Sequence, residues 1–256
     1  MYSFILDGMT WSYSRIKTYD DCPYRFFLKY IYECEEKPLF FSEFGSFMHE
    51  VLEQFYLKKL SRDGAISLYL SDFKTRVTGE APSPSVYTSF FSSGLTSLEC
   101  LCSPSGEVLA VEKFFRFRID RYPFIGYVDL IVKAEDGTIE IWDHKSHPLK
   151  ARSGRQTPTK TDQELDEYLR QLYLYAIPVC KKYGVNPARL VFNCYRKGTL
   201  IKEVFRPERL EEAKQWAVGR IEAIKESKLF PPNIEYFGCR YLCSVSDHCE
   251  YYQASS

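Results

Sequence analysis

A chain of 256 residues is long enough to bury one sizeable core with an elaboration, and 45% hydrophobic with 16% aromatic residues exclude a disordered chain. Lys plus Arg and Asp plus Glu each number 34, so overall charge gives no sign of a polyanionic partner, and any basic surface has to be local. No apolar run approaches a membrane span and Met1 to Thr10 lacks the basic start and apolar core of a signal peptide; a cytoplasmic location is expected, and the nine cysteines are read as metal or cluster ligands before disulfides.

Trp11 to Ile31 predicts a short helix capped by Ser12 or Ser14, interrupted at Cys22-Pro23 and resumed from Tyr24. Ser42 is expected to cap a helix running to about Leu60. Its apolar face carries Phe44, Phe47, Met48, Val51, Leu52, Phe55 and Tyr56, with His49 at the margin one turn before Glu53. Residues 61–106 read as two further helices, Ile66 to Val77 and Ser85 to Cys102, split by a Gly- and Pro-rich break; Cys100 and Cys102 are too lightly supported to count as a metal pair.

Val108 to Ile119 alternates as a strand and carries Glu112. Ile125 to Lys133 and Thr138 to His144 flank Glu135-Asp136-Gly137 and predict a β-hairpin. Alternation puts Ile139, Ile141, Asp143 and Lys145 on one face, and pairing in the hairpin brings Asp129 beside Asp143. Two carboxylates converging at a strand end can hold a hard divalent cation, and a lysine beside them can orient water: the outline of a phosphodiester hydrolysis site. Between Asp143 and Asp162 there is no acid, whereas Lys145, Lys150, Arg152, Arg155 and Lys160 occur, so a mobile loop suited to gripping phosphates is expected.

Asp162 to Tyr183 predicts an amphipathic helix that Pro178 should kink or end early. Gln171 and Tyr175, four apart, share one of its faces and can direct an amide and a phenol at a phosphate or a metal ligand. A second hairpin is expected over Arg189 to Phe205, turning at Lys197-Gly198, and Pro207 opens a helix to about Ser227. The order of elements predicts an α/β fold: a mixed sheet with helices on both faces and the site at one edge. In the tail, Cys239, Cys243 and Cys249 fall within eleven residues; with Cys22 they make four thiolates, suited to a [4Fe-4S] cluster or a structural zinc, and His248 reads as a surface histidine.

Cys22-Pro23, Gly45-x-x-x-His49-x-x-x-Glu53, Gly126-x-x-Asp129, Asp143-x-Lys145, Gln171-x-x-x-Tyr175 and the late cysteines together resemble the PD-(D/E)XK nuclease superfamily, in the form shared by RecB-like, AddB-like and CRISPR-associated exonucleases. The resemblance implies a restriction-endonuclease-like core in a single domain over residues 1–256, with a helical insertion at 61–106 and a cluster region at 231–251 plus Cys22. It implies that His49, Asp129, Asp143 and the main-chain carbonyl of His144 hold magnesium or manganese, with Glu112 in support. Lys145 would then act on the attacking water, and Gln171 and Tyr175 would place the strand. The cysteines around a [4Fe-4S] cluster would be Cys22, Cys239, Cys243 and Cys249, although the spacing here is C-x3-C-x5-C where the family uses C-x2-C-x5-C, which keeps zinc open. DNA, as single strands or ends, is the implied partner, together with CRISPR or recombination proteins. The activity implied is a metal-dependent exonuclease in CRISPR adaptation, recombination or repair; the alternative is a non-catalytic DNA-binding or scaffolding module of the same fold.

Overall fold

The computed structural model describes residues 2–253. Helices α1 (Ser3–Asp7), α2 (Tyr13–Asp21) and α3 (Pro23–Tyr30) precede α4 (Phe40–Tyr56), α5 (Arg62–Arg76) and α6 (Pro84–Glu99). Strands β1 (Glu107–Ile119), β2 (Tyr122–Lys133) and β3 (Ile139–His144) follow, then helix α7 (Lys160–Tyr183), strands β4 (Arg189–Cys194) and β5 (Thr199–Val204), and helix α8 (Pro207–Glu226). The five strands form one sheet in the order β1-β2-β3-β4-β5. Only β3 and β4 are parallel, because α7 carries the chain across between them; the other pairs are antiparallel.

Local chemistry explains most boundaries. Ser12 caps α2 by accepting from the Arg15 amide, and Cys22 caps α3 through its sulfur with Pro23 at the first helical position. Ser42 does not cap α4. That helix starts two residues earlier, after extended Leu39, and the carboxylate of Glu43 accepts from the Thr78 and Gly79 amides across the gap to α5. Nor does Pro178 end α7. Leu172 to Ala176, Pro178 and Val179 are all buried, so packing outweighs the missing hydrogen bond, and the helix runs on to Gly184 at φ +74°.

Each face of the sheet is covered. Ile131, Ile139, Ile141, Leu190 and Phe192 pack towards α2, α7 and α8, whereas Leu130, Val132, Trp142 and Val191 pack towards α4, α5 and α6. On β3 this is the alternation that a two-residue period demands. On β2 it slips: Val128 belongs to the α7 side and Leu130, two residues on, to the α4 side. The slip falls at Asp129, alongside Glu112 of β1, whose φ is +43°. A non-glycine residue in that region is strained, and such strain is held in place by the surrounding packing. At the other end of β2, where β3 does not reach, Trp11 joins the sheet: its amide donates to Pro123 and its carbonyl accepts from Ile125. Among the described residues no helix is long and apolar enough to cross a membrane.

Candidate active site

The β2–β3 ladder runs from Lys133–Ile139 to Leu130–Trp142 and stops there. The next position sets Asp129 across from Asp143, and the two strands part. Instead of a main-chain bond, the carboxylate of Asp129 accepts from the His144 amide at 2.7 Å. β3 is meanwhile held on its other side by β4, where Asn193 donates its carboxamide N–H to His144 Nδ1 at 3.1 Å. His144 is therefore buried, stacked on Tyr56 of α4, with its main-chain carbonyl turned towards His49.

His49 reaches this fork from α4. Its Nε2 is 3.1 Å from the His144 carbonyl, and its Nδ1 is 3.0 Å from Glu112 and 3.7 Å from Asp129. Ligand atoms of His49, Glu112 and Asp129 all lie within 4.8 Å of one another. Burial, followed by the charge of Asp143, pushes the Asp129 carboxyl up to about 7. Burial alone would hold His49 neutral; the charge of Asp129 and the hydrogen bond with Glu112 outweigh it and raise the imidazole to about 9. A protonated His49 thus sits between the acids where a cation would relieve the same repulsion. One imidazole, carboxylate oxygens and a carbonyl oxygen form a donor set that suits a hard, oxygen-preferring divalent cation.

Lys145 closes the site on the α7 side. Its ammonium is 2.8 Å from Asp143, donates to Gln171 Oε1 at 3.2 Å and lies 5.5 Å from the Tyr168 ring centroid. Burial opposes the charge of Lys145, and the neighbouring Asp143 keeps it raised all the same. The Gln171 amide in turn donates to the Tyr175 hydroxyl at 3.1 Å. The Tyr175 ring lies so close to β2 that a Cβ on Gly126 would be 2.3 Å from it, so Gly126 is the residue that lets α7 approach.

The structure thus brings His49, Glu112, Asp129, Asp143, the His144 carbonyl, Lys145, Gln171 and Tyr175 into one continuous network. It redistributes two of them. Glu112, expected only in support, is in direct contact with His49, and Asp143, expected beside Asp129 on the cation, is engaged by Lys145. Tyr168 and Asn193 are not signalled by any motif, since each acts through a neighbour reached only in the folded chain. The basic loop also differs from expectation. Arg152 is paired with Asp166 and Glu203, and Ser153 and Thr159 both bond the buried Asp162 carboxylate, so this stretch is tied to α7. Lys150 and Arg155 remain exposed.

At the far end, Cys22, Cys239, Cys243 and Cys249 line one small cavity with Leu28, Pro232 and Ile234. All four are free thiols. The Cys22 sulfur accepts from the amides of Arg25 and Asn233 at 3.4 and 3.3 Å, the kind of bond that favours a sulfur carrying negative charge. Burial raises the Cys243 and Cys249 thiols. Among the described residues only His49, Glu112 and Asp129 bring three ligand atoms within 4.8 Å.

The sequence model of the PD-(D/E)XK nuclease superfamily matches residues 10–250. No curated protein matches the chain.

Proposed function

The chain belongs to the PD-(D/E)XK nuclease superfamily, and from that membership we propose that it is a metal-dependent deoxyribonuclease that shortens DNA from its ends. The observation that carries the proposal is the pairing of two half-sites across one fork: His49, Glu112 and Asp129 on one side, Asp143, Lys145 and Gln171 on the other. In this reading His49, Asp129, Glu112 and the His144 carbonyl hold magnesium or manganese, with Asp143 completing the acidic wall. Such a cation supplies Lewis-acid polarisation of a phosphoryl oxygen and makes water a better nucleophile. Lys145, fixed by Asp143 and Gln171, orients the attacking water and stabilises charge building on the phosphate. Gln171 and Tyr175 keep Lys145 at its post and place the strand.

Action on ends, and a role in CRISPR adaptation, recombination or repair, rest on the likeness of motif order to the RecB-like branch. We likewise infer that residues 61–106 are an insertion on a single nuclease domain and that Cys22, Cys239, Cys243 and Cys249 hold a [4Fe-4S] cluster. The amides directed at the Cys22 sulfur support a metal-bound thiolate there, and the likeness to the cluster-bearing RecB-like branch favours iron and sulfur over zinc. A brown protein with broad visible absorption is expected; a colourless one containing zinc would reject the cluster.

The test of activity uses end-labelled linear DNA, closed circular DNA and manganese. Linear DNA should shorten and circles should survive. Lys145→Ala should lower turnover by at least about a hundredfold, the usual effect of removing one preorganised charge-stabilising donor. Undiminished cleavage by that variant would rule the assignment out.

A further inference from the structure

Arg196 follows β4 in the short turn that leads to β5, and it is planted between the insertion and the catalytic strand. Its guanidinium carbon lies 3.4 Å from the centroid of the Phe90 ring and 6.0 Å from that of Phe44. Nε donates to Ser93 Oγ at 2.7 Å, and one terminal nitrogen donates to the carbonyl of Ser146, the residue after Lys145, at 3.3 Å. The side chain is half-buried, and burial lowers its hold on its proton. Yet it pairs with no carboxylate among the described residues, whereas Arg25, Arg121, Arg152, Arg189, Arg220 and Arg240 each do. A partly desolvated cation without an anion is unfavourable as it stands. Stacking and two hydrogen bonds nevertheless fix its plane and leave further N–H groups unused, which is how a guanidinium is prepared for a phosphate.

Next to Phe44 is Gly45, one turn before His49 on the same face of α4. A Cβ there would meet nothing within 4 Å, so the helix backbone is bare between Arg196's aromatic seat and the proposed cation site. We propose that Arg196 binds a backbone phosphate of the DNA strand flanking the scissile one, with the strand lying across Gly45. This rests on the nuclease reading and gives the insertion a role in substrate binding, because Phe90 and Ser93 of α6 hold the arginine in place.

The full-length protein is assayed on a labelled oligonucleotide in manganese across a salt series. Arg196→Met should raise KM about tenfold while kcat changes less than threefold, and should flatten the dependence of log kcat/KM on log salt by about one. Arg196→Lys keeps the charge and loses the stacked fork, so it should restore the slope and only part of KM. A merely structural arginine would alter thermal stability and leave the slope alone; that result overturns the inference while leaving the nuclease reading intact. Should the methionine variant fail to fold, mass spectrometry of wild-type protein treated with phenylglyoxal decides: DNA must protect Arg196, and equal modification with and without DNA refutes the assignment. Wild-type protein that neither binds nor cuts DNA sinks both.

Discussion

The acidic fork and the cysteine cavity both gather metal-binding groups, but they are held together in different ways. The fork sits where two central strands part, and its groups already satisfy one another: His49 bonds Glu112, Asp129 bonds the His144 amide and Asp143 pairs with Lys145. The cysteines come from the two ends of the chain: Cys22 caps the start of α3, and Cys239, Cys243 and Cys249 lie on or beside the short helical turns Gly238–Leu242 and Ser246–His248 that follow α8. The Cys22 sulfur bonds to backbone amides. A cation at the proposed site would therefore enter a prepared place, whereas an ion or cluster on the thiols would tie together segments from the two ends of the chain.

The sharpest way to break this contrast is Asp129→Asn, which keeps the shape and removes one charge from the fork. Cleavage should fall by about a thousandfold or more, while the metal-free protein becomes more stable, because a buried carboxylate no longer repels Asp143. The pH dependence checks the reason. Asp129 is raised in the folded state to about 7, so it destabilises the fold above that pH and is relieved as protons bind below it. His49, raised to about 9, contributes stability that is present below the unfolded value and lost as pH rises through 9. Metal-free wild type should thus lose stability from about pH 4 to pH 9, and Asp129→Asn should be flatter throughout, because the Asp129 charge is also what raises His49. Equal slopes in chemical denaturation would count against this account of the fork.

Next in size, if the four cysteines hold a metal or cluster as proposed, Cys243→Ser should release it and expose the segment after α8 to protease, while α7 and the sheet remain protected. Metal analysis and limited proteolysis read this directly; a variant that keeps its full metal content and protection would show that the thiols hold nothing. The smallest effect is expected at Gly45→Ala. Alanine in a helix interior is worth up to about 1 kcal/mol over glycine, and the Cβ meets no atom. The melting temperature should rise by a few degrees while KM for DNA increases, since the added methyl occupies the proposed path of the strand. A rise in stability with unchanged KM would close that path.

The parts legible in the sequence are those that depend on short-range period and spacing. The turn at Glu135 to Gly137 sets the hairpin register, and register alone puts Asp129 across from Asp143; four-residue spacing puts Gln171 and Tyr175 on one face. What stays hidden depends on contacts between distant segments. Nothing in the alternation of β1 shows that Glu112 adopts a left-handed backbone and turns its carboxylate onto His49. The loop after Lys145 reads as free positive charge because the acids that neutralise Arg152 lie on α7 and β5. Pro178 reads as a stop because burial of its neighbours cannot be seen one residue at a time. Arg196 carries no signal, since its seat on Phe90 is over a hundred residues away in the chain.

His144 takes part in the fork through its peptide atoms alone, its amide on Asp129 and its carbonyl on His49. Side-chain scanning at that position cannot delete either group. A survey by alanine replacement would score residue 144 by the loss of an imidazole wedged between Tyr56 and Asn193, and would overlook the oxygen that faces the histidine. Only substitutions that shift the strand itself, such as those at Tyr56 or Asn193, make this contribution visible to genetics.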